Sequence, residues 1–372
     1  MASFSTFIER FRRITYSGRY MPEIDGLRFI GVVEVILFIH MGTYIHDSVL
    51  QTQYDPGNYI YRFFYEGGYG IGLFFMVSGL ILALPFAEQK LSGKKPLSLA
   101  KYFSRRLTRI EPAYIVSLII YFILRVWVMR YNSFESLLPH FLASLFYVHN
   151  LVYDAHSSVN AVAWTLEVEV QFYLLAPFFS YIYFIKSILF RRIIFAVVIL
   201  AGTVYSYSQQ YEVGNILNKG CYFICGMLLA ELYLLRSRDF NEKKYALLGA
   251  ACFIASLFVP GYYVSVYYSV LKIILTLIFF FFVITNATLK KWLSYKPVAI
   301  IGGMCYSIYL VHMGILGLMR HRFATIIFSK LAWLNAGIHY IIAGLLILIV
   351  SGIFFLLIEK PTMKRDWYRI KY

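Results

Sequence analysis

Apolar runs of about twenty residues, repeated from one end of the sequence to the other and separated by short basic segments, restrict this chain more than any other feature. Such a run, wound as a helix rising 1.5 Å per residue, spans the roughly 30 Å hydrocarbon core of a bilayer. The runs fall at about 27–46, 69–87, 111–129, 161–184, 193–208, 216–235, 245–259, 262–285, 297–319 and 336–358. A further stretch, about 137–152, is shorter and contains Pro139, His140 and His149. It reads as a half-buried or re-entrant segment. The chain is 60% hydrophobic and only 15% charged, whereas a soluble domain carries about 25% charged residues. A soluble core, a disordered chain and a disulfide scaffold are all excluded.

Charge then orients the spans. The formal net charge of +16 would suggest a nucleic-acid partner in a soluble protein. Here long apolar runs separate the basic residues, so they form no common aqueous face and no nucleic-acid partner is expected. With ten spans and a cytoplasmic N-terminus, the segments 1–28, 88–109, 186–192, 236–244, 290–296 and 360–372 face the cytoplasm. They carry 27 of the 35 Lys and Arg residues. Counting 137–152 as an eleventh span would move Lys186, Arg191, Arg192 and the later basic segments outside, against the positive-inside rule. The expectation is an all-α, polytopic membrane bundle of about ten transmembrane helices with both termini cytoplasmic. Residues 130–160 would form an external loop.

Three parts are expected along the chain. In residues 1–25, Phe4, Phe7, Ile8, Phe11 and Ile14 recur at helical spacing, with Arg10, Arg12 and Arg13 between them. This reads as a basic amphipathic segment lying on the cytoplasmic membrane surface against anionic lipid. It has no long apolar run and so does not read as a cleaved signal peptide. Residues 26–360 form the transmembrane domain, and 361–372 a basic cytoplasmic tail. No loop is long enough for a folded soluble domain. Cys221, Cys225, Cys252 and Cys305 all lie in apolar runs without a His or carboxylate to complete a ligand set, so no metal site is expected.

An ionisable side chain inside a span costs about 2.5–3.5 kcal/mol on insertion scales and invites a reason. His40 lies twelve residues beyond Arg28, about 18 Å along a helix and past the midplane. A neutral imidazole there suits a general base, and equally suits a helix-packing residue bonded to a neighbouring carbonyl. Arg105, Arg106 and Arg109 stand at helical spacing before the third run. Their guanidinium forks can hold phosphates or simply mark the cytoplasmic boundary. In Trp164–Tyr173, Glu167 shares a face with Trp164 and Gln171, while Glu169 shares one with Thr165, Phe172 and Tyr173. The two acids point about 200° apart at 100° per residue, so one straight helix cannot aim both into one cavity. The glycine-rich stretch Gly67–Gly79 suits close helix contact. His312, in the ninth run, reads as structural.

The order of these features resembles the membrane acyltransferase-3 family, the O-acetyltransferases of bacterial surface glycans. Glu23-Ile-Asp25-Gly-Leu-Arg28 followed by His40 is similar to the family's first-span signature. Leu73-Phe-Phe-Met-Val-Ser78-Gly79 resembles its second-span motif, and Arg106-Leu-Thr-Arg109-Ile-Glu-Pro112 its R-x-x-R motif. Trp164-Thr-Leu-Glu-Val-Glu169-Val-Gln171-Phe-Tyr173, Tyr306-Ser-Ile-Tyr309-Leu-Val-His312 and Glu359-Lys-Pro361 resemble its later motifs. The resemblance covers about residues 23 to 361. It implies a multi-pass enzyme of the cell inner membrane using acetyl-CoA, or another acyl-CoA, as cytoplasmic donor. The acceptor would be a sugar hydroxyl of a lipid-linked or assembled surface glycan. His40 would be catalytic, with Glu169 beside it. Arg28, Ser78, Arg105, Arg106 and Arg109 would serve the donor, and Trp164, Glu167, Gln171 and Tyr173 the acceptor. Direct transfer and an acetyl-histidine intermediate both remain open. The sequence departs from the family at one telling place. The family spaces its first-span Arg and His with ten residues between, and here there are eleven. Either a π-bulge absorbs the extra residue, or Arg28 does not play the family's role. The competing class is a transporter or flippase for a glycan or anion, which discontinuous helices and an internal repeat would favour; the sequence has no repeat.

Overall fold

The computed structural model describes residues 9–14, 20–50, 70–95, 97–209, 214–236, 239–260 and 264–364, with the side chain of Arg105 left out. Among these residues the fold is entirely helical. α1 (Pro22–Val32) begins with a proline in its first turn and runs on as a π-helix, Val33–Met41. α2 is Gly70–Leu91, and α3 is Leu99–Ile123, capped by the Ser98 hydroxyl on the Lys101 N–H. Two short helices follow, α4 (Phe134–Leu145) and α5 (His149–Tyr153). Then come α6 (Ala163–Phe179), α7 (Ile188–Ser208), α8 (Ile216–Leu234), α9 (Lys243–Phe258), α10 (Val266–Thr285) and α11 (Ala287–Leu293). α12 (Lys296–Gly303) and α13 (Cys305–Arg322) meet at a 66° bend. α14 (Ala332–Phe354) continues through a further π-helix, Phe355–Glu359.

Helices occupy every apolar run expected from the sequence, the run at 297–319 being broken into α12 and α13. Among the described residues five are long and apolar enough to cross a membrane, and a sixth is if the bent α12–α13 pair is one span. The chain therefore reads as a multi-pass membrane protein. α4 and α5 are too short to cross, since 12 residues of α4 rise only about 18 Å.

α2 and α8 approach most closely. An added Cβ at Gly79 would meet the Phe223 backbone, and one at Gly226 would meet the backbone of Met76 and Leu80. Glycine on both sides lets the two backbones touch, as membrane helices without a hydrophobic driving force require. Phe75, Phe172 and Phe223 stack across this contact, with ring centroids 4.7 and 4.1 Å apart. On the other side, α12 lies along α1, and Gly302 takes the Asp25 carbonyl where any Cβ would clash.

The π-helix in the first span has a simple bonding consequence. Two of its carbonyls accept hydroxyls. Tyr340 donates to the Leu37 carbonyl at 2.7 Å and Thr43 to the Ile39 carbonyl at 2.7 Å. Nothing is left unsatisfied at these two positions, which a lipid environment demands.

Residues 9–14, the described part of the basic segment expected within residues 1–25, lie against the bundle. Arg13 Nη1 donates to Asp25 Oδ1 at 2.8 Å, Glu9 pairs with Lys296 at 2.8 Å, and the Phe11 ring abuts Gly352. Lys360 donates to the Arg10 carbonyl. The buried Asp25 carboxylate gives Arg13 a fixed partner within the bundle. Phe4, Phe7 and Ile8 lie outside the described residues.

Candidate active site

α1, α2, α3, α6 and α13 enclose a cavity with about 930 Å³ of empty space, its open mouth included. Its lining includes the apolar side chains of Phe74, Phe75, Ile81, Leu82, Ile110 and Leu166. It also includes Arg28, Ser78, Arg106, Arg109, Glu169 and Tyr173. Six of the residues singled out in the sequence, drawn from four helices, thus meet in one space. Three guanidiniums share it with one carboxylate, leaving a net positive lining suited to a polyanion.

Each arginine is held differently. Arg28 Nη1 donates to Asp25 Oδ1, one turn earlier, at 2.7 Å. The same oxygen takes Arg13, and Asp25 is only 1% exposed. Arg106 and Arg109 are one turn apart near the start of α3. Arg109 is repelled by Arg28 and Arg106 and attracted by Glu359. Glu359 is itself fixed: its Oε2 accepts from the Ser307 N–H at 3.1 Å and from the Ser307 hydroxyl, capping the first turn of α13. Arg105 lies on the same helix, but its side chain is outside the described residues.

Glu169 Oε1 accepts two hydrogen bonds, from Ser78 at 2.7 Å and from the Tyr173 hydroxyl at 2.6 Å. Ser78 and Tyr173 therefore aim their protons at Glu169. The other acid of the motif points away, as the helical geometry requires. Glu167 is fully buried and accepts the Asn150 N–H at 2.8 Å. Gln171 donates to the Asn150 side chain at 3.1 Å and the Tyr147 carbonyl at 3.4 Å. Trp164 sits between Phe75 and His156, 6.4 and 5.8 Å away, with Gly214 against its ring. The structure thus places Trp164, Glu167 and Gln171 outside the cavity wall, where they fasten α5 and its loop to α6. Their side of the helix is used for assembly, because only one face of α6 can look into the cavity.

His40 also lies outside the cavity lining. It is linked to that lining through His312 and Tyr309, the latter paired edge-to-face with Phe74 at 6.1 Å. The His312 ring lies 5.5 Å from Tyr309 and 4.9 Å from His40, its plane inclined by 19° to that of the latter. His40 Nδ1 is 2.8 Å from His312 Nε2. His312 is fully buried. Sequence reasoning left it as a structural residue. The signal that could have singled it out was its position one turn after Tyr309, on the face that meets the first span.

The π-helix resolves the spacing of Arg28 and His40. A straight α-helix would set them about 120° apart. With five α steps of about 100° and seven π steps of about 82°, they fall within about 10° of one face. The π-helix thus takes up the additional residue, and Arg28 reaches the cavity with Arg106 and Arg109.

The model of the acyltransferase-3 domain family, described as "Acyltransferase domain", matches residues 21–356. The chain is similar to the protein described as O-acetyltransferase OatA of Staphylococcus aureus, at 26% identity over 95% of this chain and 58% of that protein. It is similar to the peptidoglycan O-acetyltransferase OatA of Listeria monocytogenes, at 27% identity over 82% of this chain and 51% of that one. A putative O-acetyltransferase of Staphylococcus aureus matches at 30% over 43% of this chain and 24% of its own length. The chain spans a little over half the length of the first two. No solved structure matches it.

Proposed function

This chain belongs to the acyltransferase-3 family, and from that membership we propose an integral-membrane O-acetyltransferase of the bacterial inner membrane. It takes an acetyl group from cytoplasmic acetyl-CoA and delivers it to a sugar hydroxyl of a cell-surface glycan on the outer side. Ten spans with both termini inside give this layout, in accord with the distribution of basic residues. The observation that carries the reading is the meeting of Arg28, Arg106 and Arg109 in one cavity whose lining is otherwise largely apolar. Phosphates suit the guanidiniums, and the apolar side chains suit the pantetheine arm. The arm extends toward Tyr309, which is joined to His40 through His312.

In the proposed reaction His40 takes the proton of the acceptor hydroxyl as its oxygen attacks the thioester carbonyl. The carbon–sulfur bond then breaks, and His40 returns the proton to the departing thiolate. The products are an acetyl ester and free CoA. Glu169 balances the three cations and fixes Ser78 and Tyr173 in the cavity wall. A glycan acceptor accords with the name of the Listeria relative, a peptidoglycan O-acetyltransferase.

Purified protein in lipid nanodiscs should hydrolyse or transfer from radiolabelled acetyl-CoA, and His40→Ala should abolish this while the protein remains folded. NMR of the surface glycan of the producing cell should lose an O-acetyl signal when the gene is removed. Undiminished transfer in the His40→Ala variant would overturn the mechanism.

The 66° break at Met304 favours a second reading, a glycan or anion transporter, because transporters build their sites on discontinuous helices. Proteoliposome flux without acetyl-CoA turnover would select it.

A further inference from the structure

We propose that His312 is a positioning residue that locks His40 in the tautomer whose Nε2 is free to accept a proton. This rests on the acetyl-transfer reading for its use, but its geometry stands independently.

The argument starts from atoms that can only accept. His312 Nδ1 lies 2.7 Å from the Tyr309 carbonyl and 3.3 Å from the Ile308 carbonyl. A carbonyl has no proton to give, so this Nδ1 carries one. With a single proton on the ring, His312 Nε2 is an acceptor. The atom 2.8 Å from it, His40 Nδ1, is then the donor. The proton of His40 is thereby assigned to Nδ1, and its Nε2 keeps the lone pair. Among the described residues no hydrogen bond engages that Nε2. The pairing determines which nitrogen can serve as a base, as the partner of a catalytic histidine does in general.

Nothing about this arrangement is adjustable. His312 is fully buried, its ring is held one turn from Tyr309 within α13, and the two imidazole planes are inclined by only 19°, as an in-plane N–H···N bond requires. His40 sits within the π-helix, whose Leu37 and Ile39 carbonyls accept Tyr340 and Thr43. Tyr309 lines the cavity and contacts His312, so the helical turn from Tyr309 to His312 joins the donor cavity to the base.

The test reads the tautomer directly. Nitrogen-15 NMR of histidine-labelled protein in nanodiscs reports which ring nitrogen bears hydrogen, and the resonance absent from His40→Ala belongs to His40. We expect this resonance to show hydrogen on Nδ1 in the unaltered protein and on Nε2 in His312→Phe, where no acceptor remains. His312→Gln, with an amide oxygen near the place of Nε2, should restore the Nδ1–H form. In acetyl transfer, His312→Phe should lower kcat by tenfold or more, on the scale of about 10⁴ when a catalytic histidine is left in the wrong tautomer, with donor KM unchanged. His312→Gln should recover a large share of kcat. Hydrogen on Nε2 of His40 in the unaltered protein would overturn the proposal, as would equal kcat in the Phe variant. A protein without acetyl-CoA turnover but with the expected tautomers would overturn the proposed function and leave the positioning of His40 in place.

Discussion

Arg28 and His40 are twelve residues apart yet share one helix face, because a π-helix begins at Val33 and carries His40 within it. The wider turn is a working part of the first span. Deleting Val33 should let the segment rewind as ordinary α-helix with ten residues between the pair, preserving the common face. Acetyl transfer should survive. Inserting one alanine after Val33 should swing His40 away and cost about a hundredfold in kcat, the order expected when a reacting group is misplaced by about an ångström. Comparing transfer rates of the two variants checks this.

Arg106 and Arg109 face the cavity with Arg28. Replacing either by Gln should raise donor KM by roughly tenfold to a hundredfold, the equivalent of about 1.5–3 kcal/mol for a hydrogen bond to a charged group. Lys should rescue only in part, since it lacks the bidentate fork. Membrane orientation, read by labelling of engineered cysteines, should be unchanged because most basic residues remain.

Glu169 receives two donors on one oxygen. Glu169→Gln keeps an acceptor for Ser78 and Tyr173, whereas Glu169→Ala strands both. The Ala variant should lose about 1–3 kcal/mol of stability relative to Gln. Thermal unfolding in detergent separates them. Equal stability would show that the carboxylate does not hold this wall together.

Asp25 is the shared partner of Arg13 and Arg28, and its carboxylate is buried. Asp25→Ala leaves two partly buried cations without their acid and should destabilise by about 3–5 kcal/mol. Arg13→Gln should cost less, because Arg28 still neutralises Asp25. The measurement is again thermal unfolding.

Gly79 and Gly226 face the opposite helix's backbone. Gly79→Ala should force α2 and α8 apart and lower the unfolding temperature far more than Gly317→Ala, where an added Cβ meets nothing within 4 Å.

Much of the fold was legible because a bilayer imposes one period and one length. The apolar runs reappear as helices, five or six of them long enough to cross a membrane among the described residues, and the split between Glu167 and Glu169 followed from 100° per residue alone. Other features were hidden for physical reasons. The partnership of His40 with His312 joins positions 272 apart in sequence. The assembly role of Trp164, Glu167 and Gln171 depends on Asn150, Tyr147 and Gly214. The bond of Arg13 to Asp25 was hidden because the amphipathic pattern of the N-terminal segment carries no trace of an acceptor within the bundle. The sequence could pose the π-helix as one of two alternatives, and only the backbone could choose.

The clasp of Glu9–Arg13 to Asp25, Lys296 and Lys360 has a consequence for how the protein comes into being. Glu9 and Arg10 are synthesised long before Lys296 and Lys360, and Arg109 long before Glu359. Until these partners arrive, the bundle holds groups whose companions have not yet been translated. Biogenesis therefore passes through a stage in which the chain carries an unbalanced, half-built pocket. Chains truncated shortly before Glu359 should be the ones most readily recognised and destroyed by membrane quality control.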